Sequence, residues 1–245
     1  MPAISIKAEP IIEIGHTVIT NSLFTSILVT FIFFIIAFFY YSQSRSAHKT
    51  SFYYLIQAVL KGLYSFFSQI LGKNMPVFFP ILGAFFIFIL LQNWFGLLPG
   101  VGSFLVQIEE HGKTIMVPIL RGGNADLNTT VGLGLVSVIL IQAYGIRFLG
   151  FFGYISKFIN LKGPIDFFIG ILEIISEFSK VLSFSFRLFG NIFAGEVLLT
   201  IVAFLVPVLA SFPFLMLEIF VGFVQALVFT MLTAVFLSMA IQPHH

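Results

Sequence analysis

Residues 164–206 read PIDFFIGILEIISEFSKVLSFSFRLFGNIFAGEVLLTIVAFLV. After Pro164 the stretch has no proline and three glycines, Gly170, Gly190 and Gly195. Its 43 residues predict one continuous helix about 64 Å long at 1.5 Å per residue. That is twice the hydrocarbon thickness of a bilayer, so the helix must tilt strongly or begin outside the apolar core. Arg187 sits in its middle, with no acidic residue three or four positions away on either side. A guanidinium cannot shed its proton. At the bilayer centre it costs about 2.5–3.5 kcal/mol on insertion scales, so an intramembrane arginine marks an ion path, a sensor or a counter-ion.

The rest of the composition requires a membrane setting. Of 245 residues, 59% are hydrophobic and only 9% charged. Mean hydropathy is +1.08. A soluble domain is about one-quarter charged, so this chain cannot cover a water-facing surface. With no cysteine, disulfides and thiolate metal sites are excluded. No metal, cofactor or nucleic-acid partner is expected. The 34 phenylalanines read as lipid-facing and interhelical packing. Residues 1–20 form an external N-terminal segment. It lacks a basic run and carries Glu9 and Glu13, unlike a cleavable signal.

Working outward from the long helix, the chain reads as an all-α polytopic membrane protein, a single membrane domain with about five spans. They are 21–41, 76–98, 129–146, 164–206 and 213–242, the last two long and strongly tilted. Pro207 and Pro213 bracket the turn between those two. Residues 50–73 differ, because Gln57, Lys61, Ser65 and Ser68 recur at helical spacing. That pattern predicts an amphipathic helix lying in the interface. The external loop 99–128 predicts a small hairpin turning at His111-Gly112. Asn128-Thr129-Thr130 reads as a helix start. Lys and Arg are concentrated in 42–75 and 147–163, which places both inside, the N-terminus outside and the C-terminus inside.

The last two helices carry nearly all the intramembrane chemistry. Glu173, Lys180 and Arg187 are spaced by sevens and share a helix face, which Asn191 extends. Glu196 lies nine residues beyond Arg187, near the opposite face. From the shared external turn, Glu196 and Glu218 fall at similar depth, roughly 8–15 Å in. Arg187 and Gln225 lie deeper and are expected to face each other near mid-membrane. Glu173, Glu177 and Lys180 lie toward the inside. Carboxylates at lipid depth must be wetted, paired or protonated, so the pair Glu196 and Glu218 suits a proton relay. A fixed arginine between that relay and the inner groups blocks straight passage of H⁺ or Na⁺. Competing structural readings are snorkelling for Glu173, Glu177 and Lys180, and interhelical hydrogen bonds for Asn191 and Gln225.

Other functional classes fit poorly. A haem subunit needs His or Met ligands inside spans, and all five histidines (His16, His48, His111, His244, His245) fall outside them. A secondary transporter using Arg187 to bind an anionic substrate is the main alternative. It would carry repeats or paired broken helices, and the sequence has neither.

Ser185 to Glu196, SFRLFGNIFAGE, closely resembles the signature of subunit a of F-type ATP synthases. Asn93 to Pro99 (NWFGLLP), Ala125 to Thr130 (ADLNTT) and the final helix from Gln225 are similar to further segments of that family. The resemblance implies a stator subunit whose two long helices pack against a rotating ring of c subunits. Each ring subunit carries a membrane-embedded carboxylate. Arg187 would meet that carboxylate and block leak between two offset proton half-channels. Glu196, Glu218 and Gln225 match external half-channel and arginine-adjacent positions. Glu173, Lys180 and Asn191 match positions near the internal one. Some family members carry His where Glu218 stands here. The implied partners are the c ring, b-type peripheral stalk subunits, the rest of the complex and lipid. The implied location is a bacterial plasma membrane or, alternatively, a thylakoid. With no phosphate-binding Gly-rich loop, the chain on its own is expected to be neither an enzyme nor a nucleotide binder.

Overall fold

A computed structural model describes residues 8–14, 17–46, 48–98, 100–101, 104–110, 113–158, 163–206 and 211–242. Seven α-helices dominate these residues: α1 (Asn21–Ser44), α2 (Ser51–Leu71), α3 (Met75–Phe95), α4 (Leu127–Leu149), α5 (Phe151–Ile155), α6 (Pro164–Leu205) and α7 (Ser211–Ala240). Two antiparallel hairpins are added, β1 (Pro10–Ile14) with β2 (Thr17–Thr20), and β3 (Leu105–Glu110) with β4 (Lys113–Pro118). Five apolar helical runs are long enough to cross a membrane: α1, the continuous α2–α3 run, α4, α6 and α7.

The long helix forms as the sequence predicts. Pro164 opens α6 at its first position, where the missing N–H is no loss. The helix then runs 42 residues to Leu205. Pro213 falls inside the first turn of α7 rather than in the connection. First-turn amides have no intrahelical acceptor, so proline is tolerated there; Pro207 lies outside the described residues. Thr50 caps α2 through Tyr53 N–H. A 3₁₀ turn at Gly72–Asn74 separates α2 from α3, with Gly72 at φ +52°. That left-handed backbone suits glycine. The start of α4 is set by Asp126, whose carboxylate accepts from Asn128 N–H at 2.9 Å, rather than by Asn128-Thr129-Thr130. β3 and β4 pair up to Glu110↔Lys113, so the expected hairpin forms; its turn residues, His111 and Gly112, lie outside the described residues. The β1–β2 hairpin and α5 have no counterpart in the sequence reading.

The core is aromatic and interhelical. Phe78, Phe86 and Ile89 of α3, Phe184 and Leu188 of α6, and Phe229 and Leu237 of α7 are all buried. The Phe184 and Phe229 rings meet at 4.8 Å between centroids. Gly134 lets α4 approach α6: a Cβ there would lie 2.8 Å from Ser185 Oγ and 3.2 Å from Val181 O. Small residues at a crossing are how membrane helices gain contact without a hydrophobic driving force. Ser137 and Thr233 add a buried hydroxyl pair at 2.9 Å between α4 and α7. One flank of α6 stays uncovered, exposing Phe168, Phe178, Leu182, Phe186 and Phe204.

Candidate functional site

The charged side chains fall into three groups along α6. At one end stand Arg121, Glu196 and Glu218. The loop carrying Arg121 is tied down at several points. Its backbone N–H donates to Thr25 Oγ1 at 3.1 Å, and Asn21 Nδ2 donates to Pro118 O at 3.2 Å. Asn124 Nδ2 donates to Asn93 Oδ1 at 2.7 Å, and Ser22 Oγ donates to Asp126 at 2.6 Å. Asn93 donates in turn to Gly222 O at 2.8 Å, and Trp94 Nε1 to Ile219 O at 3.0 Å, which staples α3 to α7 beside Glu218. These bonds aim the buried Arg121 guanidinium at Glu196, with Nε 3.4 Å from Oε1 and Oε2.

Glu218 is buried and lies against Gly195. A Cβ at 195 would collide with both carboxylate oxygens, so α6 can carry only glycine there while Glu218 holds this position. Glu196 and Glu218 line one cavity of about 690 Å³, together with Arg121. The two carboxylates expected at similar depth therefore line one cavity.

In the middle, Arg187 is exposed on the outer flank of α6. Its Nη2 donates to Ser183 Oγ at 3.3 Å, and it makes no ion pair among the described residues. It makes no hydrogen bond to Gln225 among the described residues. Gln225 Oε1 instead accepts from Asn191 Nδ2 at 2.7 Å, one turn further along α6. Gln225 is buried, and its hydrogen-bond partner among the described residues is Asn191. This is the interhelical hydrogen bond that the structural reading of both residues required.

At the other end, Glu173 and Lys180 do not continue an open polar face toward Arg187. Lys157 Nζ lies 2.5 Å from Glu173 and 3.9 Å from Glu177, and Lys180 lies 2.6 Å from Glu177. The result is a closed cluster of two cations and two anions. Lys180 also sits over the Phe236 ring at 4.8 Å. Tyr154 of α5 packs into the space left by Gly145 and donates to Gln142 Oε1 at 2.5 Å. Burial, then the charges of Glu177 and Glu173, push the Tyr154 hydroxyl up to about 12, so it remains a donor.

Sequence reasoning assigned no functional role to Arg121 or Lys157. Arg121 stands five residues before the capping Asp126. That proximity to a motif was the one available signal, and nothing local foretells either pairing across the fold. Among the described residues, no group of His, Cys, Asp and Glu could hold a metal ion.

The chain matches a family described as ATP synthase A chain over residues 23–238. It is 32% identical over 193 residues to ATP synthase subunit a of Moorella thermoacetica, which covers 78% of this chain and 77% of that one. It is 38% identical over 193 residues to "ATP synthase subunit a, sodium ion specific" of Propionigenium modestum, covering 78% and 62%. With the chloroplastic ATP synthase subunit a of Oedogonium cardiacum it shares 37% over 167 residues, covering 68% and 60%. The matched stretch thus spans about three-quarters of the first relative and about three-fifths of the other two.

Proposed function

The chain belongs to the ATP synthase A chain family, and on that premise we propose that it is the stator of a rotary membrane motor, with Arg187 the charge that couples ion entry to rotation. The observation that carries this reading is the placement of Arg187. It stands without a counter-ion among the described residues, on the exposed flank of the longest helix. A cavity lined by carboxylates lies beyond it on one side and a neutralised charge cluster on the other. Such a charge is stable in lipid only against an anion supplied by another chain. The membrane-embedded carboxylate of a c ring has the right chemistry.

The cavity with Glu196 and Glu218 serves as the external half-channel. The region around Glu173 and Lys180 forms the inner end of the exit path. Asn191 and Gln225 hold α6 to α7 one turn from Arg187, and so set the register of the arginine against the ring. A ring carboxylate approaching Arg187 ionises, and its H⁺ or Na⁺ departs inward. After rotation the next carboxylate is refilled from the cavity. Arg187 keeps the two paths from joining. One charge falling through 100 mV gains about 2.3 kcal/mol, so several transfers are needed per ATP, as a ring provides.

The b-type stalk, the interfacial placement of α2, the external N-terminus and a bacterial plasma membrane complete the proposal. The transporter alternative is disfavoured because Arg187 is not among the residues lining the cavity. The test is Arg187→Ala in the assembled complex. ATP-driven cation pumping is lost while subunit content is kept. Normal pumping by the assembled variant refutes the mechanism.

A further inference from the structure

Between Glu13 and Glu109 the chain carries no acidic residue, yet Arg45, Lys49, Lys61 and Lys73 all fall there. Two of these cations stand together where α1 ends and α2 begins. The Arg45 guanidinium lies over the Tyr41 ring at 4.5 Å, and the Lys49 ammonium over the Tyr53 ring at 4.9 Å. Both are exposed, and neither makes an ion pair among the described residues. α2 and α3 pack against α1 and contain no Asp or Glu. Tyr40, Tyr41, Tyr53 and Tyr54 gather at the same end. Tyrosines collected in this way mark the level of the lipid head groups.

An apolar cleft of about 240 Å³ begins beside them. Phe33, Ala37 and Tyr40 line it from α1, Leu60 from α2, and Gly83 and Ala84 from α3. Among its lining residues, Tyr40 alone carries a polar side-chain group. From Phe33 to Tyr40 the cleft follows α1 for about 10 Å. Ala37 and Ala84 are exposed, so small side chains leave it open toward lipid. The Tyr40 ring stacks on Tyr53 at 5.0 Å between centroids, which puts Lys49, 4.9 Å from Tyr53, no more than about 10 Å from Tyr40. Arg45 caps α1 five residues beyond Tyr40, about 7.5 Å along the helix. The cleft therefore has an apolar body and a cationic head at one end.

We propose that this cleft and its two cations bind one anionic phospholipid, with an acyl chain lying between α1 and α3 and the phosphate held by Arg45 and Lys49. A guanidinium pairs with phosphate through two parallel hydrogen bonds, and an ammonium attracts it as a point charge. A cation resting over an aromatic ring keeps its charge and its N–H donors. Basic pockets between membrane helices suit anionic head groups for this reason. A partner helix, about 10–12 Å across with its side chains, is too wide to enter the cleft. The site stands whether or not Arg187 couples ion entry to rotation, because it needs only α1 and α3 in the bilayer.

The test uses the whole ATP synthase in phosphatidylcholine liposomes doped with a photoreactive lipid. The probes are phosphatidylglycerol and, separately, phosphatidylcholine, each with a diazirine on one acyl chain. Labelled peptides are mapped by mass spectrometry. Phosphatidylglycerol labels residues 33–40 and 79–87 at least about fivefold more than phosphatidylcholine does. Arg45→Gln and Lys49→Gln each lower that preference about fivefold, the effect of one basic residue near an anionic head group. Lys73→Gln removes the same charge at the far end of α2 and leaves the preference unchanged. Ala84→Phe fills the open side of the cleft and lowers labelling by both lipids. The preference shrinks at about 1 M salt, where the Debye length is about 3 Å. Equal labelling by the two lipids leaves only ordinary surrounding lipid and overturns the proposal. So does a preference that survives loss of both Arg45 and Lys49, or one that falls equally in Lys73→Gln. Cross-links from the cleft to another subunit in place of lipid overturn it as well.

Discussion

Replacing Gly195 with alanine tests the joint between α6 and α7 at the carboxylates. The added methyl would collide with both oxygens of Glu218. Either the carboxylate swings away or the two helices part. An off-rotamer side chain costs about 0.5–1.5 kcal/mol, and overpacking a tight contact costs about 1–3 kcal/mol. A penalty of about 0.5–3 kcal/mol on the conformation that presents Glu218 to the cavity reduces its population by roughly 2- to 150-fold, since 1.4 kcal/mol is tenfold. ATP-driven cation uptake by the reconstituted complex, normalised to subunit a content, should fall within that range. Shortening the opposing side chain relieves the clash, so Gly195→Ala combined with Glu218→Asp should pump faster than Gly195→Ala alone. The comparison needs Glu218→Asp by itself to close the double-mutant cycle. Parent-level pumping by Gly195→Ala would refute the reasoning, as would a double variant no better than the single one.

The other predictions concern the opposite end of α6. Lys157→Gln leaves Glu173 and Glu177 with Lys180 as their one remaining cation in the cluster. Breaking a buried pair costs about 3–5 kcal/mol. Partial exposure of Glu173 reduces this to about 1–3 kcal/mol. Faster proteolysis within residues 150–163 at unchanged pumping would report it; parent-like resistance would count against a structural role for the pair. Tyr154 gives a pH dependence. Its folded value, about 12, lies above the ordinary 10, so the folded state retains a proton that the unfolded chain gives up. The contribution is complete below pH 10 and is lost as pH rises toward 12. The parent should therefore lose thermal stability over pH 10–12, and Tyr154→Phe should lose less over the same interval while starting about 1 kcal/mol lower for the missing hydrogen bond.

The elements that could be read from sequence are those fixed by local chemistry. Proline at 164 and an uninterrupted apolar run gave α6 to within one residue at its end. His111-Gly112 marked a turn because two strand-like segments flank it. Arg187 declared itself through cost, since no neighbour in sequence offsets its charge. Pairings across the fold had no such signal. Gln225 was assigned toward Arg187 on depth alone, and depth does not foretell its hydrogen bond with Asn191. Lys157 lies 16 residues from Glu173, and the packing of Phe158 against Gly170 of α6 helps bring them together. Arg121 required the whole stitched loop over α1 and α3 to reach Glu196.

The Lys157 pairing also bears on how the chain enters its membrane. Between Pro164 and Leu205 the chain carries Asp166, Glu173, Glu177, Lys180, Arg187 and Glu196. A central charge costs about 2.5–3.5 kcal/mol on translocon scales, so α6 released alone into lipid would surrender much of what its apolar residues gain. Lys180 and Glu177 offset each other within the helix, but Glu173 draws its counter-charge from residue 157, which is synthesised before it. Glu196 likewise draws on Arg121. Both basic residues precede α6 in the chain, so synthesis from the N-terminus delivers the counter-ions first. Arg187, like Asp166 at the start of the helix, has no such partner among the described residues, and its neutralisation is left to a later stage of assembly.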